Sequence, residues 1–534
     1  MNASKHPFRG AAQLHEENPP WLRWVIASTV GLAALMEVLD VSIVNVSIPH
    51  MQGNLGATVA EIGWVITGYA VANVIIIPLT AWLGQYFGTK AYYIFSLIAF
   101  IIASMMCGFA HTLPQLIVSR VLQGLFGGGL LPRAQAILFE TFPPHEVGLA
   151  QAVFGISVIV GPTFGPTLGG YLTDTLGWRW VFFVNLPIGL LALLMSIAFL
   201  PPTRRYRERP RRIDWWGILL LASWIGAFQT FLEEGEGDGW FESHFITLLA
   251  LVAAIGLGLF IWRELATRTP AVDLRVLRYR SLAAGSIFAV VLGIGLYGTV
   301  FVIPLFTQNI LGFTAVQTGL LIMPGALASG LCMPFIGRLV DRIDPRLVIG
   351  AGSITVGTAT LVLAQININT GVHDLFWPLL FRGLGMGMIF IPLSVATLGP
   401  IPKRDVASAA AFFNLNRQLG GSIGIALLAT MLEKRQAFHY DVLAQNISRF
   451  GVATQQYLYN IQHALQARGV SPATVEQASY GMLTRLVKIQ AMILSFEDVL
   501  FLVGLLFISV LVLVFFLHGG NHARRPRTAE PAAE

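Results

Sequence analysis

Two carboxylates lie inside an otherwise apolar stretch of the chain, MEVLDVSIVNVSIPHM at residues 36–51. Glu37 and Asp40 are three residues apart, a spacing that places two side chains on nearly the same face of a helix. Apolar surroundings penalise a charged carboxylate and favour its protonated form. A pair of such acids can therefore bind and release protons as access to water changes, if the surrounding element is buried.

The composition indicates what surrounds them. Of the 534 residues, 55% are hydrophobic and 12% are charged, about half the charged fraction of soluble domains. A polytopic membrane protein in a lipid bilayer is the direct interpretation. The net charge of +6 is explained by cytoplasmic loops rich in Lys and Arg, so no nucleic-acid partner is expected. Cys107 and Cys332 lie in apolar segments, which predicts free thiols and no metal site.

Fourteen apolar runs are long enough to cross a bilayer as helices of about 20 residues. They do not alternate between apolar and polar residues, which favours helices over the strands of a barrel. The first run has no cleavage pattern before it and is expected to remain as a span. The sequence therefore predicts an all-α polytopic membrane protein with fourteen transmembrane helices, at roughly 24–47, 61–83, 91–110, 114–136, 149–171, 180–200, 215–232, 244–262, 282–307, 316–337, 347–365, 375–398, 409–430 and 496–517.

The distribution of Lys and Arg predicts the orientation, because short cytoplasmic loops are enriched in both. Loops 201–214 and 263–281 are rich in Arg, whereas loops of the opposite set, such as 48–60 and 308–315, contain neither residue. Both termini are therefore expected in the cytoplasm. The segment 432–495 is expected outside although it carries Lys and Arg, because the rule weakens beyond about 60 residues. Its composition predicts a polar, partly helical and amphipathic segment.

Short patterns recur at a nearly constant spacing along the chain. SIPHM at 47–51 returns as VIPLF at 302–306, and Arg120 in RVLQGLFGGG returns as Arg382 in FRGLGMGMIF. Two similar six-helix halves are typical of transporters whose site lies between the halves at mid-membrane. We therefore expect a cytoplasmic segment 1–23, an N-terminal half 24–200, a linker 201–281 carrying two inserted helices (215–232 and 244–262), a C-terminal half 282–517 that includes the external segment 432–495, and a tail 518–534.

The repeat is asymmetric in its acids. At the spacing that relates SIPHM to VIPLF, Glu37 aligns with Leu292 and Asp40 with Gly295. Structural symmetry alone would not remove both acids from one copy. Their restriction to the first half indicates a function that only this half performs.

An ordered set of motifs resembles one known family. The set comprises LDVSIVNVSIP (39–49), LIVSRVLQGLFGGG (116–129), GISVIVGPTFGPTLGG (155–170), IDWWGILLL (213–221), GRLVDRIDPR (337–346) and FNLNRQLGGSIG (413–424). Together they resemble the fourteen-helix drug:proton antiporters of the major facilitator superfamily, the EmrB/QacA type. GRLVDRIDPR resembles the cytoplasmic loop motif of this superfamily, and AWLGQYFGTK (81–90) is its copy in the first half. In that copy, Gln85 and Tyr86 replace the usual Asp and Arg, so the charged cytoplasmic gate is expected only at Asp341 and Arg342.

The resemblance implies a proton-coupled antiporter that exports hydrophobic or amphipathic, often cationic, drugs across the cytoplasmic (inner) membrane by alternating access. The proton gradient would supply the energy without a cofactor. The alternative is a proton-coupled exporter of one dedicated metabolite. The resemblance also implies an EmrA-like periplasmic adaptor and an outer-membrane channel as partners, with the adaptor docking on 432–495. An enzyme is not expected, because the sequence has no GxSxG, no metal-ligand spacing and no phosphate-binding loop.

Residue roles follow from the resemblance and from helical spacing. Asp40, Glu37 and Arg120 are the predicted proton-coupling and substrate residues, since the depth of Arg120 in helix 4 of such proteins lets it approach Asp40. Gln123 is expected to join the same network. Ser47, seven residues after Asp40, is expected in the same cavity, whereas Asn45 is expected to contact a neighbouring helix. Arg417 is a further intramembrane cation with no predicted partner.

The fifth span combines closely spaced glycines with two prolines. Glycine at four-residue spacing lets helices approach closely, and proline bends a helix by removing a backbone donor. We expect a kinked, tightly packed helix that seals the cavity against proton leak. Its predicted packing residues are Gly155, Gly161, Pro162, Gly165, Pro166 and Gly169.

Overall fold

The computed structural model describes residues 19–201, 214–267, 270–367, 369–448, 451–467 and 469–517. All regular structure in these ranges is helical, which confirms the predicted all-α class. Most of the first predicted segment, the Arg-rich run at 204–212 and the tail 518–534 lie outside the described residues.

The first six predicted runs form six spans. α1 begins at a proline, which lacks the N–H that a first helical turn leaves unpaired, and ends at Gly56 with a left-handed φ of 64°. The six are α1 (Pro20–Leu55), α2 (Val59–Ile76, continued by the 3-10 turn Ile77–Leu79 and by Thr80–Phe87), α3 (Thr89–Gly108), α4 (Leu113–Gly127 and Leu130–Thr141), α5 (Val147–Thr175) and α6 (Trp180–Phe183 and Asn185–Phe199).

The remaining runs also form helices, and one additional helix lies outside the predicted spans. They are α7 (Trp215–Glu234), α8 (His244–Ala266), α9 (Arg280–Gly293, the π-helical turn Ile294–Gly298, and Thr299–Asn309), α10 (Ala315–Val340), α11 (Pro345–Leu363), α12 (Val372–Leu398), α13 (Lys403–Gln445), α14 (Val452–Ala467) and α15 (Pro472–Ser509 and Leu511–Val514). A 3-10 turn at Leu274–Arg278 precedes α9.

The segment 432–495, predicted to be an outer loop that is partly helical, is largely helical in the structure. α13 has 43 residues, which corresponds to about 65 Å at 1.5 Å per residue, twice the roughly 30 Å hydrocarbon core. The end of α13, all of α14 and the start of α15 therefore form a helical extension beyond the membrane. Polar residues continue these helices because a helix satisfies its own backbone groups in water as well as in lipid.

Eleven helices among the described residues are long and apolar enough to cross a membrane, or twelve if the bent α5 counts as one span. α4 fails this test because it is broken at Gly128 and Gly129, so neither piece is long enough. α13 also fails the test, because Asn414, Asn416 and Arg417 lower the hydropathy of its apolar part. With these two, each of the fourteen predicted runs corresponds to a helix of a multi-pass membrane protein.

The halves meet along a few helices. α5 packs along α1 of its own half and along α10 of the other half. α13 packs against α4, α9 and α15, and α7 packs against α8 and α2. This arrangement leaves a cavity between α1, α2 and α4 on one side and α9 and α13 on the other.

Candidate functional site

The two acids of α1 occupy different environments. Both are buried, with 2% of Glu37 and 0% of Asp40 exposed. Glu37, Val41 and Asn45 recur every four residues and line the cavity, which has a volume of about 100 Å³. Asp40 is rotated by about 60° around the helix axis from Glu37 and contacts α4 and α6 instead. The predicted pair is thus two adjacent sites, one at the cavity and one behind it.

Asp40 is the acceptor of a dense hydrogen-bond network. Its Oδ2 accepts from Arg120 Nη1 at 2.7 Å. Its Oδ1 accepts from Gln123 Nε2 at 2.8 Å and from Asn185 Nδ2 at 2.6 Å. All four side chains are buried, and hydrogen bonds between charged groups in such surroundings are strong. The network surrounds the carboxyl group of Asp40 with donors away from water, and it brings together the predicted residues Asp40, Arg120 and Gln123.

Arg120 is itself held from several directions. Its Nε donates to the carbonyl of Val65 at 3.2 Å and its Nη1 to Gln123 Oε1 at 2.8 Å. Its guanidinium lies 4.1 Å from the ring centroid of Tyr69, a cation–π distance. Arg120 therefore connects α4 to α2 as well as to α1.

Glu37 caps the restart of α4. Its Oε2 accepts from the backbone N–H of Leu131 at 3.1 Å, and its Oε1 accepts from Asn73 Nδ2 at 3.1 Å. Since the second piece of α4 begins at Leu130, the N–H of Leu131 is one of the first donors that a helix leaves unpaired. A carboxylate is favoured at this positive end of a helix. The glycine run of α4 thus creates the donor that holds Glu37.

Two glycines of α4 position the polar residues of α2. A Cβ at Gly124 would overlap the carbonyl oxygen of Tyr69, and one at Gly128 would overlap that of Asn73. Only glycine permits this approach between the two backbones. It places Tyr69 and Asn73 at the cavity wall beside Glu37.

The predicted packing motif of α5 contacts two different helices. A Cβ at Gly161 would lie 2.8 Å from Val38 Cγ1, and one at Gly169 would lie 2.6 Å from the carbonyl oxygen of Ile43. Gly165 packs in the same way against Ser42 of α1. Gly155 faces α10 instead, where its Cβ would lie 2.8 Å from Met333 Sδ.

The prolines bend α5 where it meets the acids of α1. Pro162 and Pro166 lie inside α5, which bends by 43° between Val147–Pro162 and Phe164–Thr175. The carbonyl of Pro162, next to the bend, accepts a hydrogen bond from Ser42 Oγ at 3.3 Å. The structure thus has the kink and the close contact that the sequence predicts for this helix; sealing against protons stays a prediction.

Two predicted orientations on α1 are corrected. Ser47 does not line the cavity, because its hydroxyl is buried against Thr173 of α5 at 2.6 Å. Ser47 shares the face of Asp40, as its spacing predicts, but this face points into the first half. Asn45 lines the cavity because it lies eight residues after Glu37 and so shares the face of that acid.

Arg417 enters the same cavity from α13. Its Nη2 donates to Asn414 Oδ1 at 2.8 Å, and its guanidinium lies 5.4 Å from the ring centroid of Phe390. The sequence predicts no partner for this cation, and the structure supplies these two. Nε and Nη1 of Arg417 have no hydrogen-bond partner among the described residues.

One member of the predicted gate joins the two halves. Asp341 Oδ1, at the end of α10, accepts from the backbone N–H of Gly148, at the start of α5, at 3.2 Å. A Cβ on Gly337 would lie 2.6 Å from the carbonyl oxygen of Gly148, so the two helices touch here. Arg342 is exposed.

Further hydrogen bonds join the halves on the side that the Arg distribution predicts to be cytoplasmic. Lys403 Nζ donates to the carbonyl of Glu140 at 3.2 Å. Asn414 Nδ2 donates to Gln135 Oε1 at 2.6 Å, and Gln135 Nε2 donates to Ser394 Oγ at 3.1 Å. These contacts hold the two halves together on that side of the cavity.

Several residues of the site are absent from the sequence-based prediction. Asn185 binds Asp40, Asn73 binds Glu37, and Tyr69, Tyr297 and Asn414 line the cavity. The sequence could have indicated these residues, because each is an amide or a phenol inside an apolar run. Such groups are costly in lipid unless they are paired. Among the described residues, no group of three His, Cys, Asp or Glu side chains could hold a metal ion.

Comparisons with known proteins agree with this architecture. A family model described as Major Facilitator Superfamily matches residues 30–425. The chain is 34% identical over 495 residues to the multidrug export protein EmrB of Escherichia coli K12, covering 92% of this chain and 94% of that protein. It is 32% identical over 523 residues to the fatty acid resistance protein FarB of Neisseria gonorrhoeae, covering 97% and 99%.

A solved structure shares the fold at low sequence identity. The crystal structure of the human organic anion transporter MFSD10 (TETRAN) matches with a TM-score of 0.56 and 14% identity, covering 92% of this chain and 100% of that one. This likeness supports the helical arrangement alone.

Proposed function

Since the chain belongs to the Major Facilitator Superfamily, we propose that it is a proton-coupled antiporter that exports hydrophobic or amphipathic compounds, cationic drugs included. Export runs by alternating access across the cytoplasmic (inner) membrane, with both termini in the cytoplasm. The observation that carries the proposal is the buried contact between Asp40 and Arg120, directly behind a cavity between the halves.

Asp40 is the proton-coupling group in this mechanism, and Arg120 and Gln123 set its affinity for the proton. When Asp40 is charged, three donors fix it between α1, α4 and α6. Protonation removes the charge that Arg120 neutralises, so the contact between α1 and α4 weakens. Since α1 packs on the glycines of α5 at the same level, a change in this contact reaches the helix that joins the halves.

The energy of the proton gradient is sufficient for export. One charge that crosses 100 mV releases about 2.3 kcal/mol. Because about 1.4 kcal/mol corresponds to a tenfold ratio, one proton sustains roughly a 40-fold gradient of an exported solute. In the structure the halves are bonded at Asp341, Lys403 and Gln135, and opening toward the cytoplasm requires these bonds to break.

A second candidate is an exporter of one dedicated metabolite, and the cavity lining favours it. Glu37, Asn73, Asn414 and Arg417 all reach the cavity. A few well-placed polar groups are what give a small-molecule site its specificity. The volume of about 100 Å³ requires the site to expand for a drug-sized ligand in either case.

An external partner is part of the proposal, on the strength of the family resemblance. The helical extension formed by the end of α13, α14 and the start of α15 offers a surface beyond the membrane for an EmrA-like adaptor, which would connect to an outer-membrane channel. Copurification from the native host tests this. Recovery of the transporter without any adaptor would contradict it.

Proteoliposomes provide the test of coupling. With an imposed proton gradient, substrate-triggered changes of lumenal pH and uptake of a fluorescent lipophilic cation are followed together. Asp40→Asn is expected to abolish the coupled signal, because its amide cannot carry the exchanged proton. Asp174→Asn is the matched control, since its carboxylate is exposed, and it should transport like the wild type. Gradient-driven export by folded Asp40→Asn would overturn the mechanism.

A further inference from the structure

The cavity contains one cation whose bonding capacity is largely unused. Arg417 is 1% exposed and lines the cavity from α13. Only its Nη2 has a hydrogen-bond acceptor, Asn414, while Nε and Nη1 have none among the described residues. Within the described part of the chain, no carboxylate forms an ion pair with Arg417. A buried guanidinium without acceptors is costly, so a ligand that supplies them is favoured here.

The two acids of the first half, unlike Arg417, have hydrogen-bond partners on all their side-chain oxygens. Both oxygens of Glu37 accept hydrogen bonds, from Asn73 and from the N–H of Leu131. Both oxygens of Asp40 accept from the network that Arg120 dominates, and Asp40 does not line the cavity. A cationic ligand would have to compete with these donors, whereas an anionic ligand meets open donors on Arg417.

The surroundings of Arg417 suit the head of an amphiphile. Phe390 covers one side of the guanidinium. Tyr297 and Gln418 line the cavity wall near Arg417 and can donate further hydrogen bonds. Val38, Val41 and Val300 line other parts of the cavity and offer an apolar surface for the remainder of the ligand.

We propose that Arg417 is an anion-binding subsite of this cavity, which takes compounds that carry a compact oxyanion, such as a carboxylate, on an apolar body. The subsite rests on the proposed export function, and it adds amphipathic anions to the hydrophobic and cationic compounds named there. With this subsite, the second half selects the transported compound and the first half couples transport to the proton.

Binding by the purified full-length chain in detergent tests the subsite without any transport step. Three dansyl probes share one fluorophore and differ in charge: dansylglycine is anionic, dansylamide is neutral and dansylcadaverine is cationic. The wild type is expected to bind dansylglycine about tenfold more tightly than dansylamide, the increment of hydrogen bonds to a charged group. Arg417→Met should remove this difference and leave the affinity for dansylamide within about twofold.

Two further variants separate the subsite from general effects on folding. Arg417→Lys keeps the charge but not the planar set of donors, and it should retain part of the preference. Arg382→Met is the matched control: Arg382 is also buried and has an unpaired Nε, but it does not line the cavity. It should keep the full preference for dansylglycine.

Each outcome decides the matter. A wild type that binds the anionic and neutral probes equally overturns the subsite, whether or not the variants fold. Equal weakening of both probes in Arg417→Met overturns it as well. Failure of the proposed function has a different signature: no probe of any charge would elicit proton movement in proteoliposomes, even if binding of dansylglycine depends on Arg417.

Discussion

The two halves place an arginine at the same position but give it different partners. In the first half, Arg120 of α4 donates to the carboxylate of Asp40 on α1 at 2.7 Å. In the second half, Arg382 of α12 donates to the backbone carbonyl of Gly295 on α9 at 3.2 Å. Gly295 is the residue that aligns with Asp40 in the repeat. The same helix pair is thus joined by the same side chain, with a charge in one copy and a peptide group in the other.

The difference separates the structural role of this contact from its proposed chemical role. A guanidinium that bonds the facing helix is common to both halves and serves packing. Only the first half adds a carboxylate, and it adds Gln123 where the second half has Gly385 in the matching sequence RGLG. The second half instead has a π-helical turn at Ile294–Gly298, where Gly295 offers its carbonyl. π-Helical turns occur often at functional sites.

Exchange of each arginine for glutamine would test this comparison, with the largest expected effect. Arg120→Gln leaves the charge of Asp40 buried without its counter-ion, which typically costs about 3–5 kcal/mol. Arg382→Gln removes one hydrogen bond to a carbonyl, which costs about 1 kcal/mol. We expect Arg120→Gln to unfold at a clearly lower temperature in detergent and to lose proton-coupled transport, and Arg382→Gln to keep both nearly intact.

The double variant Asp40→Asn with Arg120→Gln checks the cause. If the buried pair explains the loss of stability, the double variant will be more stable than the sum of the single effects predicts. Equal effects of Arg120→Gln and Arg382→Gln on stability and transport would contradict a special role for the first half.

Glu37→Gln should have an intermediate effect. The glutamine carbonyl can keep the bond to the N–H of Leu131, and Asn73 can turn its own carbonyl toward the new amide. Stability should therefore change by less than about 1 kcal/mol, while proton-coupled transport falls because the variant has no group at this position of the cavity wall that can bind and release a proton. Initial rates of substrate-driven proton movement across a range of imposed pH gradients measure this.

Glu37→Leu sharpens the same test, because Leu292 occupies the aligned position in the second half. It removes both acceptors and leaves the N–H of Leu131 unpaired at the restart of α4, which costs about 1–3 kcal/mol. Greater stability of Glu37→Leu than of Glu37→Gln would show that the cap contributes nothing. Transport by Glu37→Gln at the wild-type rate would assign coupling to Asp40 alone.

The sequence predicts the helices well because hydropathy decides them. Each of the fourteen apolar runs becomes a helix, and the restriction of the acids to one half follows from the repeat alone. The expected approach of Arg120 to Asp40 comes from the family resemblance, because span boundaries give the depth of each residue but not which helices are neighbours. The helix positions follow from local hydropathy, and the repeat follows from counting residues along the chain.

Helix rotation is not set in this way. α1 is buried on most of its surface, so its sequence has no polar face to indicate which side meets the cavity. The opposite placements of Asn45 and Ser47 follow from packing on the glycines of α5. The bond from Leu131 to Glu37 likewise depends on where α4 restarts, which no apolar periodicity predicts. The helical character of 432–495 is predicted, but the bounds of its helices are not, because polar helices give no hydropathy signal that marks where they begin and end.

Ser47→Val is the smallest test of the comparison, and it installs the residue that the repeat places at the aligned position, Val302. The Ser47 hydroxyl bonds Thr173 at 2.6 Å, away from the cavity. Its loss should lower the free energy of unfolding by about 1 kcal/mol, and transport should stay within about twofold of the wild type. Thermal unfolding in detergent and initial transport rates measure the two effects. A large loss of transport at unchanged stability would mean that the Asp40 face of α1, and not only Asp40 itself, acts in coupling.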